Sequence, residues 1–131
     1  MIKGSCCCGT VKFELSSDPS FLAICHCSRC RKLGTSEFFM VEKDSFEWVS
    51  GKELVAEYTP EEPFKYKRCF CTKCGSSLGE ILSKDDKFPI AASSLDDDPN
   101  INVWFHEHVA SKPSWQLTHE GVTLFDGDPH Q

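Results

Sequence analysis

Nine cysteines fall in three tight groups: Cys6, Cys7 and Cys8; Cys25, Cys27 and Cys30; Cys69, Cys71 and Cys74. Thiols two or three residues apart suit a shared metal ion better than a covalent staple across a fold. The odd count also excludes a fully paired disulfide framework. Sulfur-rich sites select zinc or iron–sulfur clusters, and zinc is the metal expected here. His26, His106, His108, His119 and His130 add nitrogen donors to the supply.

The spacing says how such a site would be built. In CHCSRC, at 25–30, sulfurs at i and i+2 of an extended segment share a face. The x-x-C that follows turns a third sulfur back toward them. CFCTKC, at 69–74, repeats the pattern, and Gly9 and Gly75 follow Cys8 and Cys74 with the φ freedom that tight metal turns need. His26, at i+1 from Cys25, points to the opposite face of an extended segment and is expected off the metal.

Two partitions of the thiols satisfy this spacing. In one, Cys6, Cys8, Cys71 and Cys74 form a closed four-sulfur site, and Cys25, Cys27 and Cys30 form a three-sulfur site with an open position. Cys7 and Cys69 are then spare. In the other, each C-x-C-x-x-C triad borrows a thiol from the first group and both sites are closed. Four thiolates around Zn²⁺ leave about −2, three about −1. The first partition admits a substrate; the second describes a protein merely stapled by metal. Spacing alone does not choose.

The elements that must carry these thiols read as short strands. Val11–Leu15 alternates apolar and polar residues with period two, as a half-buried strand does. Runs of strand character follow at Phe21–Cys25, Glu37–Glu42, Phe46–Val49, Leu54–Tyr58, Ser77–Leu82, Pro89–Ala92, Asn102–His106 and Val122–Phe125. No long amphipathic helix is evident. A mostly β chain of 131 residues, with no linker, predicts one domain over 1–131.

Charge narrows the partners. The net charge of −6 is unevenly spread: residues 1–75 hold eleven Lys/Arg and ten Asp/Glu, residues 76–131 three and ten. Nucleic-acid binding is not expected of an acidic chain without a broad basic face. Basic residues do lie beside the thiols: Arg29, Arg31 and Lys32 near one group, Lys65, Lys67, Arg68 and Lys73 near another. They are either solvated charge or cations that favour thiolates and draw in an anionic small molecule. The opening MIKGSCCCGTVKF has no apolar run of signal-peptide length, and no stretch approaches a membrane span. A reducing, cytoplasmic setting is expected.

Five segments together resemble the glutathione-dependent formaldehyde-activating enzyme family, whose domain is shared with centromere protein V. They are GSCCCGTVKFE at 4–14, CHCSRCRKLG at 25–34, FCTKCGSSL at 70–78, ASSLDDDP at 92–99 and SKPSW at 111–115. The resemblance implies the first partition, with two zinc ions per chain. Cys6, Cys8, Cys71 and Cys74 match structural ligands; Cys25, Cys27 and Cys30 match the three-cysteine zinc where the chemistry is placed. It further implies a small tent-like arrangement of antiparallel β-sheets stapled by zinc. The implied activity is that of a carbon–sulfur lyase forming S-hydroxymethylglutathione from glutathione and formaldehyde. Arg29, Arg31, Lys32 and Lys112 are then candidates to meet the carboxylates of glutathione, and Trp115 to wall the pocket. Trp115 also reads simply as a core or rim aromatic, and Asp96-Asp97-Asp98 as a solvated turn. The rival to an enzyme is a zinc-stapled β module that binds another protein.

Overall fold

The computed structural model describes residues 1–129, so His130 lies outside the described residues. Alternation along the first strongly periodic segment is realised: Val11, Phe13 and Leu15 are buried, while Lys12 between them is exposed. In chain order the strands are β1 (Ile2–Ser5), β2 (Lys12–Leu15), β3 (Phe21–Cys25), β4 (Glu37–Glu42), β5 (Phe46–Ser50) and β6 (Val55–Tyr58). They continue as β7 (Arg68–Cys71), β8 (Ser77–Gly79), β9 (Lys87–Ala91), β10 (Val103–Glu107) and β11 (Thr123–Leu124). One short α-helix, α1 (Ser28–Lys32), interrupts them, with a few single turns of 3₁₀ helix.

These strands form three small sheets, ordered β1-β2-β5, β11-β10-β3-β4-β9 and β6-β7-β8. The outer two are antiparallel. The five-stranded sheet is mixed, which corrects the expectation of purely antiparallel sheets: β10 runs parallel to both β3 and β11. Parallel neighbours need a crossover, and residues 92–102 supply it. They leave β9 at one edge of the sheet and return so that β10 starts level with β3. The crossover is pinned to β1, where Ser5 Oγ donates to Asp96 at 2.8 Å and the Lys3 N–H donates to Asp97 Oδ2 at 2.8 Å. A bridge between Gly4 and Leu95 adds to this. Asp96 and Asp97 are therefore fastenings for an edge strand, more than a solvated turn.

The core lies where the sheets face one another, and Phe13, Leu15, Val41, Leu78 and Ile90 are nearly inaccessible. Burying one such side chain contributes about 1.5–3 kcal/mol. Cys69, 3% exposed, belongs to this core and behaves as a small hydrophobe. Cys7 is exposed, with its N–H donating to Ser76 Oγ at 2.8 Å.

Candidate metal centre

The first thiol group is assembled from two turns far apart in sequence. Cys6 and Cys8 sit on the β1–β2 turn, which closes when the Gly9 N–H donates to Cys6 O at 3.0 Å. Cys71 and Cys74 sit on the β7–β8 turn, closed by the Gly75 N–H on Cys71 O at 2.7 Å. Both glycines have positive φ, 76° and 79°, as the sequence led us to expect. The four Sγ atoms lie within 4.8 Å of one another. Cys6 and Cys8 are 3.5 Å apart and Cys8 and Cys71 3.9 Å. Metal–sulfur bonds of about 2.3 Å in a tetrahedron require sulfur–sulfur edges of about 3.8 Å. The donor set fits a zinc-sized ion, and no thiol among the nine is spent in a disulfide.

The surroundings of these sulfurs already favour charge at the surface and resist it within. The Ser76 hydroxyl, 3.2 Å from Cys74 Sγ, brings the Cys74 thiol down to about 5. Cys71 is pushed up to about 11 by burial.

The second group is local. Cys25 ends β3, its N–H donating to Ser36 O at 2.8 Å. Cys27 is the N-cap of α1, where its sulfur accepts the Cys30 N–H at 3.3 Å. Cys30 lies inside α1, and its carbonyl accepts the Thr35 N–H at 3.2 Å. A five-residue helix is thus wound around its own thiols. The three Sγ atoms again lie within 4.8 Å of one another. Among the described residues no fourth His, Cys, Asp or Glu ligand joins them. The Cys27 thiol is shifted far below its ordinary range by hydrogen bonds from Cys25 and Cys30, and Cys25 is shifted far above it by the same sharing.

Arg68 connects the groups. It shares β7 with Cys71, yet its two terminal nitrogens each reach 3.5 Å from Cys30 Sγ. Burial is the largest single influence and works against its charge, but the hydrogen bond to Cys30 and the charges of Cys30, Cys27 and Cys25 together outweigh that cost and raise its pKa. The sequence placed Arg68 among cations near Cys69, Cys71 and Cys74; the sulfur it serves is 38 positions away.

His26 is not free to act as a ligand, because both its ring nitrogens are engaged elsewhere. Nδ1 is 3.0 Å from Gln116 Oε1 and Nε2 is 2.7 Å from His106 Nδ1. His106 Nε2 in turn lies 3.0 Å from His119 Nδ1 and accepts the His119 N–H at 3.1 Å. One tautomer satisfies the whole chain: each Nδ1–H donates, to Gln116 Oε1, His26 Nε2 and His106 Nε2 in turn. Gln116 also donates to Ser36 Oγ at 3.1 Å, which ties the segment after β10 to the partner of Cys25. Burial lowers the His106 pKa and disfavours a charge on that ring.

Cys25, Cys27 and Cys30 line a cavity of about 730 Å³, while Cys6, Cys8, Cys71 and Cys74 do not. Beside the thiols its wall holds Thr35, Ser36, Tyr66, Arg68 and Glu107. Glu107 pairs with Cys25 across the β3–β10 ladder, and burial raises its carboxyl above the ordinary range. Of the contacts implied by resemblance, Arg31, Lys32, Lys112 and Trp115 are all absent from that wall. Arg31 donates to Ser111 O at 3.3 Å and Lys112 to Gln116 O at 2.8 Å. Lys32 is exposed and Trp115 is 74% exposed. Arg68 was in view only as one of four nearby cations, and Glu107 and Tyr66 carry no local sequence signal at all.

The family model described as glutathione-dependent formaldehyde-activating enzyme matches residues 1–110. A Halomonas elongata protein named "Putative glutathione-dependent formaldehyde-activating enzyme" is 28% identical over 132 residues, covering 88% of this chain and 79% of that protein. A crystal structure of a Rhodobacter sphaeroides protein superposes with a TM-score of 0.57 at 24% identity. It covers 74% of this chain and 91% of that one, a likeness of fold. Among the described residues no helix is long and apolar enough to cross a membrane.

Proposed function

The chain belongs to the glutathione-dependent formaldehyde-activating enzyme family, and from that membership we propose a zinc-dependent enzyme that joins a thiol to an aldehyde and cleaves the same carbon–sulfur bond in reverse. The observation that carries the reading is the contrast between the two thiol groups. The set of four is complete and turned away from the large cavity; the set of three lines it. Cys6, Cys8, Cys71 and Cys74 would hold a closed structural zinc that staples β1–β2 to β7–β8. Cys25, Cys27 and Cys30 would hold a second zinc and leave one coordination position to the substrate. Zinc bound there supplies a lowered pKa to an incoming thiol and Lewis acidity toward an oxygen.

In the forward step the thiol sulfur attacks the carbonyl carbon of formaldehyde. The C=O π pair moves to oxygen, which takes up the proton the thiol gave up, so RSH and H₂C=O become RSCH₂OH. The protein's own residues prepare this step. Arg68 offsets the anionic charge of three gathered thiolates, about −1 once a divalent ion is counted. Thr35, Ser36 and Glu107 line the same cavity as the three thiols and are side chains able to carry the proton the thiol gives up. Glutathione is the thiol that the family description names and the first to test. Arg31, Lys32, Lys112 and Trp115 lie outside the cavity wall, and the proposal gives them no part in the bond-forming step.

Thiols and formaldehyde combine without help, so the test is a rate. Exchange spectroscopy with ¹³C-formaldehyde measures interconversion of thiol and S-hydroxymethyl adduct at equilibrium. The zinc-loaded protein should accelerate it above the spontaneous rate, and the Cys27→Ala protein, still folded, should not. No acceleration by the zinc-loaded protein would contradict the reading.

A further inference from the structure

A cavity of about 730 Å³ is far larger than formaldehyde and a sulfur atom require. It falls in the range that encloses a drug-sized molecule, so its walls decide what body is attached to the reacting sulfur.

Away from the thiols that wall is apolar and largely aromatic: Phe21, Phe38, Met40, Trp104, Phe105 and Phe125. Phe21 meets Phe38 edge-on at 6.2 Å and Trp104 at 5.0 Å, and Phe105 meets Phe125 at 5.6 Å. Edge-to-face rings at these separations make a firm apolar surface. Three different strands, β3, β4 and β10, contribute to it, with Phe125 just after β11. The sheet that ends in Cys25 therefore carries the aromatic wall up to the cluster.

The charged groups on the wall have the wrong sign for an anionic peptide. Glu80, Glu107 and Asp128 line it, opposed by Arg68 and His108. Both basic side chains are engaged: Arg68 with Cys30 at 3.5 Å and His108 with Asp128 at 2.9 Å. No lysine lines the cavity among the described residues. Two glutathione carboxylates placed here would lose water and find no unengaged cation on the described wall, which is costly. An uncharged ring or branched alkyl group would gain from the same surface.

We infer that the cavity selects a thiol, or its aldehyde adduct, carrying an uncharged aromatic or branched aliphatic body, in preference to an anionic peptide thiol. The inference rests on the reading of Cys25, Cys27 and Cys30 as an open metal site, and it names the substrate class for that site.

Calorimetric titration of the zinc-loaded protein with 2-phenylethanethiol, glutathione and the sulfur-free 2-phenylethanol tests it. The aromatic thiol should bind at least about tenfold tighter than glutathione, as burial of a phenyl ring predicts. Trp104→Ala and Phe38→Ser should remove that advantage and bring the two thiols' affinities together. Trp104 is 62% exposed, so its truncation spares the fold. Glutathione binding as tightly as the aromatic thiol, or the preference surviving both substitutions, would overturn the inference and leave the open-site reading intact. Failure of both thiols to bind would overturn that reading and the inference with it. Equal affinity for 2-phenylethanol would overturn the assignment of a thiol.

Discussion

Replacing Arg68 by Gln should weaken metal binding at the three-thiol group and spare the four-thiol group. The guanidinium places two nitrogens 3.5 Å from Cys30 Sγ. A unit charge pair near 4 Å is worth about 4 kcal/mol at an effective dielectric of about 20. Arg68 is partly open to the cavity, so solvent screens a good share of that, leaving about 1.5–3 kcal/mol, the usual worth of a hydrogen bond to a charged group. This corresponds to about 10–100-fold in metal affinity, the range found for partners one step beyond the ligands. Competition with a chromophoric zinc chelator should resolve two phases in the parent protein, and only one should move in the variant. The sign with pH follows: without the cation the thiols hold their protons more firmly, so acid releases metal from this group at a higher pH. Arg68→Lys keeps the charge but loses the two-pronged contact and should fall between. An unchanged affinity, or equal weakening of both phases, would refute the assignment of Arg68 to Cys30.

Cys71→Ala should lose the structural ion and more than about 2 kcal/mol of stability, because metal binding there is folding free energy. Cys27→Ala should cost less than about 1 kcal/mol, or about 4 °C in Tm; urea melts of the two variants decide this. Cys69→Ala should keep both ions and lose about 1 kcal/mol as a small core truncation, with metal content read by elemental analysis. His106→Gln should cost about 1–3 kcal/mol, since it strands a ring nitrogen of His26, which is only 1% exposed. Because burial lowers the His106 pKa, its neutral form contributes stability that is present above about pH 6.5 and is lost as pH falls toward the folded-state value. The parent should therefore lose more stability than the His106→Gln variant between pH 7.5 and 5.5, and parallel losses would contradict the sign.

The alternation of Val11, Phe13 and Leu15 exposed β2 plainly, because one face of that strand is buried and the other wet. Most strands were visible for the same reason. Ile2–Ser5 and Arg68–Cys71 were not: one contains a glycine and the other reads as a metal loop between basic residues. The helix at Ser28–Lys32 is too short to have a period, and it exists because Cys27 caps it. Sequence spacing grouped the thiols but left their partition open, since turns 60 residues apart meet only in three dimensions. CHCSRC and CFCTKC look alike, yet Cys25 joins its cluster and Cys69 faces the core. The parallel pairing of β10 with β3, the His26–His106–His119 chain and the aromatic cavity all depend on the crossover after β9. No local pattern encodes them.

The central claim is that Cys25, Cys27 and Cys30 leave one position on their metal to a substrate. Zinc content per chain, combined with sulfur coordination from zinc-edge X-ray absorption, tests it most directly. The account predicts two zincs averaging about 3.5 sulfurs each, as seven ligand thiols across two ions require. Two zincs with four sulfurs each would mean that both sites are closed, and would contradict it.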